Sequence, residues 1–255
     1  MIMIDLNADL GESFGAYTIG MDSQVIPCIS SANLACGWHA GDPIVMEQTV
    51  ALAKKNGIAI GAHPSFPDQL GFGRRNMTIS SDEARCYIKY QVGALLAFVR
   101  AEGMILQHVK PHGALYNMAC RDETLAMAVC KGIAQVDRTL IVLAPAGSCL
   151  LQAAERLGLP TAGEVFADRA YRDDGTLVPR GMSGAVIRDR DKAVQRVIQM
   201  IEQGTVDSIS GRKIPITAQS VCIHGDNPDA LKLARQLRCT LQERGIGIAT
   251  LREFI

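Results

Sequence analysis

His108, Lys110 and His112 alternate along the stretch 105–116, which reads as a strand running into a turn. Successive side chains of an extended chain point to opposite faces, so these three share one face. Pro111 lacks an N–H and disfavours helix for Lys110 before it, which argues against a helical histidine pair. A cation between two imidazoles at a strand end suits an anion or a developing negative charge. Any one of these histidines alone reads more readily as a core residue bonded to backbone; three such groups on one face favour a site. A second cluster opens the chain. Period two puts Asp5, Asn7 and Asp9 on one face and Leu6, Ala8 and Leu10 on the other. Ionised carboxylates are costly to bury unpaired, so this is either a surface edge strand or a site. The abrupt turn offered by Gly11 and Gly15 favours the site.

The elements around these residues are legible. Asp42-Pro43 is a cap-plus-proline helix start, and Gly57 stops that helix. Asn33 and His39 are therefore expected in a loop between strand and helix, with Trp38 as core or pocket wall. The strand 57–62 delivers His63 into a proline-rich loop, which continues through Arg74 and Arg75 as a mobile or anion-binding candidate. Ser80 and Glu83 form a capping box for a helix reaching Gly103. A helix over 122–136, a strand over 139–143, a helix over 149–157 and a strand over 161–165 follow. The polar loop 173–181 is long enough for a lid. A helix over 189–203 leads to a strand over 220–223 that delivers His224 and Asp226. Asn227-Pro228 starts the next helix, and 247–251 reads as a last strand. That makes seven clear strands and a weaker eighth.

Strands alternating with helices imply a parallel sheet. The length of 255 residues matches one β/α barrel, with no repeat or linker to divide it. Polar residues recur after strands and before helices, the C-terminal face where such barrels carry their sites. Lys+Arg and Asp+Glu number 26 each, giving no net charge, which argues against binding nucleic acid or an anionic membrane. No run approaches transmembrane length, and the start lacks the basic and apolar pattern of a signal peptide. The eight cysteines form no CxxC pair and read as reduced thiols, so a cytoplasmic location is expected.

The segments DLNADLGE (5–12), ACGWHAGDP (35–43), IGAHPSFPD (60–68), GFGRR (71–75), VKPHGALYN (109–117), EVFADRAY (164–171), LVPRG (177–181) and HGDNP (224–228) resemble the LamB/YcsF family. The resemblance runs in order along essentially the whole chain, departing at 143–147, where the family's turn is Gly-Leu-Ala-Gly-like. It implies a glycoside hydrolase/deacetylase-type β/α barrel, commonly of seven strands. It also implies an ATP-dependent 5-oxoprolinase system that opens the lactam of 5-oxo-L-proline to L-glutamate with two partner subunits, B and C. Carried over by motif, the site residues are Asp5, Asn7, Asp9, His39, His63, Lys110, His112, Asp168, His224 and Asp226.

Opening a five-membered lactam means attacking an unactivated amide. A positioned general base supplies roughly 10²–10⁴-fold, short of the 10⁶-fold or more that enzymes commonly reach. Either a metal acting as Lewis acid or phosphorylation of the amide oxygen by ATP could make the carbonyl electrophilic. No GxxxxGK[ST] phosphate loop is present, so a partner handling the nucleotide is reasonable. In the reading favoured by the sequence, Asp9 or Asp5, with His63, orients and deprotonates water. Lys110 and His112 hold an oxyanion or phosphate. Arg74 and Arg180 either grip the substrate carboxylate or form surface ion pairs, and Asn33 joins the substrate-binding set. Replacing Lys110 by methionine would then keep the fold and lose turnover. Competing readings are a metal-dependent deacetylase or amide hydrolase with Asp9, His63 and His112 as ligands, and a non-catalytic scaffolding subunit. With no compact signature such as HExxH, no metal ligand is assigned.

Overall fold

The computed structural model describes residues 2–179, 181–223 and 228–255. The strands are β1 (Met3–Leu10), β2 (Ser31–Ala35), β3 (Ala59–His63), β4 (Leu106–Val109), β5 (Ile141–Ala144), β6 (Thr161–Phe166), β7 (Thr205–Asp207), β8 (Lys213–Pro215), β9 (Ser220–Cys222) and β10 (Gly247–Ile248). Parallel pairing runs β1-β2-β3-β4-β5-β6-β9, and β9 pairs back onto β1, so seven strands close a barrel. The seven-stranded β/α barrel expected from the sequence is the observed architecture.

The expected eighth strand is not a stave. β10 holds only two residues, which pair with Met3 and Ile4 below the part of β1 that meets β9, and the chain then turns into a short 3-10 helix, Leu251–Glu253. The antiparallel hairpin β7–β8 was not foreseen, because three-residue strands carry too little period to read.

The helices are α1 (Asp22–Val25), α2 (Pro43–Asn56), α3 (Ser81–Ala101), α4 (Gly113–Ala119), α5 (Glu123–Val136), α6 (Cys149–Arg156), α7 (Arg190–Gln203) and α8 (Pro228–Glu243). Their boundaries follow the cap chemistry. Asp42 accepts from the backbone of Ile44 and Val45 to start α2, and Gly57 ends it at φ 66°. Ser80 and Glu83 form the reciprocal box that starts α3, and Asp122 and Asp189 cap α5 and α7.

Alternation sorts each strand into two environments. Ile4, Leu6, Ala8 and Leu10 of β1 join Leu34, Ile60, Val109, Val165 and Val221 in an apolar layer against the helices. The opposite faces point into the barrel, and there the chain places Asp5, Asn7, Ser31, Asn33, His108 and Ser220, all fully buried. Gly61 has no side chain because the His108 ring occupies the space its Cβ would take. Asn33 lies within β2 and not in the expected loop: Pro27 keeps 26–28 in a 3-10 turn, so the strand begins only at Ser31. All eight cysteines are free, and among the described residues no helix is long and apolar enough to cross a membrane.

Candidate active site

Three tiers of polar side chains climb the barrel interior. At the floor, Asp5 Oδ1 accepts from Ser30 Oγ at 2.7 Å and Ser31 Oγ at 2.6 Å, and its Oδ2 accepts from Ser220 Oγ. Each serine is held in turn: Ser30 by the Leu6 amide, Ser31 by Gln107, Ser220 by Asn7. Burial pushes the Asp5 carboxyl up to about 6, against the opposing effect of the three hydroxyls. Above it, Asn7 Oδ1 accepts from Asn33 Nδ2 at 2.7 Å and Lys110 Nζ at 3.1 Å. His108 Nδ1 accepts from Gln107, which leaves Nε2–H to donate to Asn33 Oδ1 at 2.6 Å. Burial, reinforced by the Lys110 charge, brings His108 down to about 3.

The top tier carries the charges. Lys110, at the end of β4 and only 3% exposed, lies 2.7 Å from Glu164 Oε1 and 3.2 Å from Asp9 Oδ1. Its third and fourth neighbours are Asn7 Oδ1 and, at 3.2 Å, Cys222 Sγ. Burial alone would lower the Lys110 ammonium, but Asp9, Cys222 and Glu164 hold it well above the usual lysine range. Burial alone would raise Asp9, yet the neighbouring His63 and Lys110 keep it well below the carboxylate range. Asp9 Oδ1 is committed to Asn33 and Lys110, while Oδ2 faces His63 Nε2 at 3.3 Å. Glu164 also accepts from Tyr116 Oη at 2.5 Å.

A histidine cluster adjoins this ion group. His63 ends β3, His112 precedes α4, and His39 lies between β2 and α2. His63 and His112 meet at 2.9 Å, the rings of His39 and His112 stack at 3.8 Å, and Glu12 Oε1 reaches His39 Nε2 at 3.2 Å. Burial pushes His39 and His112 well below the usual histidine range. Glu12, His39, His63 and His112 each bring a donor atom within 4.8 Å of the others, an arrangement able to hold a metal ion.

A cavity of about 420 Å³ opens over these tiers at the C-terminal ends of the strands. Of the expected residues Asp9, His63, Lys110, His112 and Arg74 line it. Five expected residues lie away from the cavity wall. Asp5 does not reach the cavity, because it lies four residues down β1 under the Asn7 tier, and its oxygens are taken by serines. Asn7 and Asn33 are fully buried beneath Asp9 and Lys110 and position them, with no face for substrate. His39 sits behind His112, also fully buried. Asp168 is not in the cavity wall; the next residue, Arg169, is. Arg180, His224 and Asp226 lie outside the described residues.

The expected role of Lys110 also changes. The anion it holds in this structure is the protein's own Glu164–Asp9 pair. Glu164, Glu12, Tyr116, Arg121, Arg169 and Cys222 are site residues that sequence reasoning did not single out. Glu164 had a signal: it is a lone carboxylate inside the apolar run of β6, where an unpaired charge would be costly. Trp38 is neither deep core nor cavity wall; it packs half-buried against Tyr87 and Tyr90.

The sequence matches the LamB/YcsF family over residues 4–255. The chain belongs to the LamB/YcsF family. Among similar relatives, a protein named as the A subunit of 5-oxoprolinase from Alkaliphilus metalliredigens is 54% identical over 251 residues, covering 98% of both chains. The one so named from Pyrococcus abyssi is 54% identical over 252 residues, 99% of both. The crystal structure of the lactam utilization protein from Thermus thermophilus superposes with a TM-score of 0.93 at 43% identity, covering 97% of this chain and 99% of that one. Peptidoglycan deacetylase PdaC from Bacillus subtilis, with a TM-score of 0.50 at 13% identity over 99% of this chain and 90% of its own, shares the fold alone.

Proposed function

We propose that this family member is the A subunit of an ATP-dependent 5-oxoprolinase, which opens the lactam of 5-oxo-L-proline to L-glutamate together with subunits B and C. The observation that carries this reading is the ionised Asp9 on the cavity wall, with Oδ1 clamped by Asn33 and Lys110 and Oδ2 beside His63. A carboxylate on the cavity wall can take a proton from water as the water oxygen attacks the lactam carbonyl carbon; the C–N bond then breaks, and the ring nitrogen receives that proton and leaves as the amine of glutamate. Arg74, Arg121 and Arg169 along the same cavity offer cations to the carboxylate of 5-oxoproline. A cavity of about 420 Å³ accommodates so small a molecule. ATP supplies the activation that an unactivated amide demands, and the nucleotide is handled with the partner subunits. The names borne by the relatives support the same assignment.

The test is glutamate production from 5-oxo-L-proline with ATP, measured for the chain alone and with subunits B and C. Turnover is expected only in the complete mixture, and Asp9→Asn should lower kcat there by about 10²–10⁴-fold. Absence of glutamate from the complete mixture, or an undiminished rate with Asp9→Asn, refutes the reading.

A further inference from the structure

The contact between His63 and His112 poses a chemical problem. His63 Nδ1 lies 2.7 Å from the carbonyl oxygen of Lys110, and His112 Nε2 lies 2.9 Å from that of Phe72. A carbonyl only accepts, so each of these outer nitrogens carries the ring's hydrogen. In the neutral rings that leaves His63 Nε2 and His112 Nδ1 as bare lone pairs, and these two atoms face each other at 2.9 Å. Two lone pairs are not held that close without a positive centre between or beside them.

Two carboxylates flank these atoms: Glu12 Oε1 lies 3.2 Å from His39 Nε2 and 3.9 Å from His112 Nδ1, and Asp9 Oδ2 lies 3.3 Å from His63 Nε2. Tetrahedral zinc with bonds of about 2.0–2.1 Å separates its donors by roughly 3.3 Å, and the observed spacings of 2.9, 3.2 and 3.9 Å bracket that value. Backbone carbonyls behind the imidazoles are the usual means of aiming metal-ligating histidines and fixing their tautomer. His39 is aimed instead by its ring stack on His112.

We infer that Glu12, His39, His63 and His112 form a binding site for one divalent first-row transition cation, with zinc as the representative ion. Three imidazoles and one carboxylate suit this class and not magnesium or calcium, which take oxygen donors. Glu12, His63 and His112 line the cavity, so the ion would be approached from the side on which substrate enters. There it would act on a carbonyl oxygen as a Lewis acid, leaving Asp9 outside the ligand set. The binding claim stands independently of the proposed reaction, and its test requires neither substrate nor partner subunits.

The test uses the purified full-length chain, stripped with chelator and titrated with Zn²⁺ against a chromophoric competitor, and in parallel loaded with Co²⁺ for its visible spectrum. One ion per chain is expected, with the Co²⁺ spectrum showing nitrogen and oxygen ligation and no thiolate charge-transfer band. Glu12→Gln and His63→Gln, each checked for folding by circular dichroism, should weaken binding by about 10²-fold or more. Glu12 is half-buried, so its conservative amide variant keeps the test informative should a histidine variant fail to fold. No stoichiometric uptake by the wild-type chain would overturn the site and leave a shared proton between His63 and His112. Equal uptake by Glu12→Gln, or a thiolate spectrum, would overturn it as well.

Discussion

Lys110→Met deletes one positive charge from between two carboxylates, Glu164 at 2.7 Å and Asp9 at 3.2 Å. From the sequence alone this substitution looked harmless to the fold, because a methionine keeps most of the lysine stem. The ion group reverses that expectation. Removing one partner of a buried pair leaves an uncompensated charge and costs about 3–5 kcal/mol. For a chain of this size about 1 kcal/mol moves the melting temperature by 2–4 °C, so the variant should melt on the order of 10 °C lower. Glu164→Gln separates charge from packing: it removes the stranded carboxylate while keeping an acceptor for Tyr116. The double variant should therefore be less destabilised than the two single costs added together, by about 1–3 kcal/mol. Urea unfolding at pH 7 of the parent, both single variants and the double variant measures this cycle. A Lys110→Met protein within about 1 kcal/mol of the parent, or strictly additive costs, would refute the view that Lys110 holds the site together by charge.

Two further outcomes follow from the tiers below. His108, at about 3 in the fold against an ordinary value of 6.5, excludes a proton that the unfolded chain accepts. Its contribution is fully present above pH 6.5 and is lost as pH falls from there toward 3, at about 1.4 kcal/mol per pH unit. His108→Gln should flatten the acid limb of stability against pH by that amount. Asp5, raised to about 6, acts in the opposite sense, so the slopes are compared between variant and parent; identical slopes would remove His108 from the acid response. Gly61→Ala should be destabilised by at least about 1–3 kcal/mol, because the new methyl group meets the His108 ring; a melting temperature equal to the parent's would show that the ring can move aside.

Much of the scaffold was legible because it is governed by short-range rules. Asp42-Pro43, Ser80 with Glu83, Asp122 and Asp189 announce helix starts through caps that need only a few neighbouring residues. The period of two also chose the inner face of β1 correctly. Depth was not legible. At about 3.3 Å per residue, Asp5 lies some 13 Å along the strand from Asp9, so the same pattern yields a buried anchor at one end and a cavity carboxylate at the other. Partnership across the barrel was hidden too. Glu164 has meaning only once Lys110 is beside it, and Glu12 only once three histidines from separate strand ends converge on it. Asp168 and Arg169 show the limit at a turn, where one residue of phase decides which side chain enters the cavity.

The barrel is closed by β9, three residues long, whose Ser220 bonds Asn7 across 213 residues of sequence. At synthesis rates of about 5–20 residues per second, β1 leaves the ribosome roughly 10–40 s before the strand that completes its pairing. During that interval one edge of β1 has no partner, a condition that invites neighbouring chains to add on. Asp5 and Asp9 of β1 point inward beside that edge, and inward-pointing charge is one device that discourages a neighbouring chain from pairing there. The carboxylates that anchor the floor and furnish the cavity of the finished barrel are also the charges beside its last-paired edge.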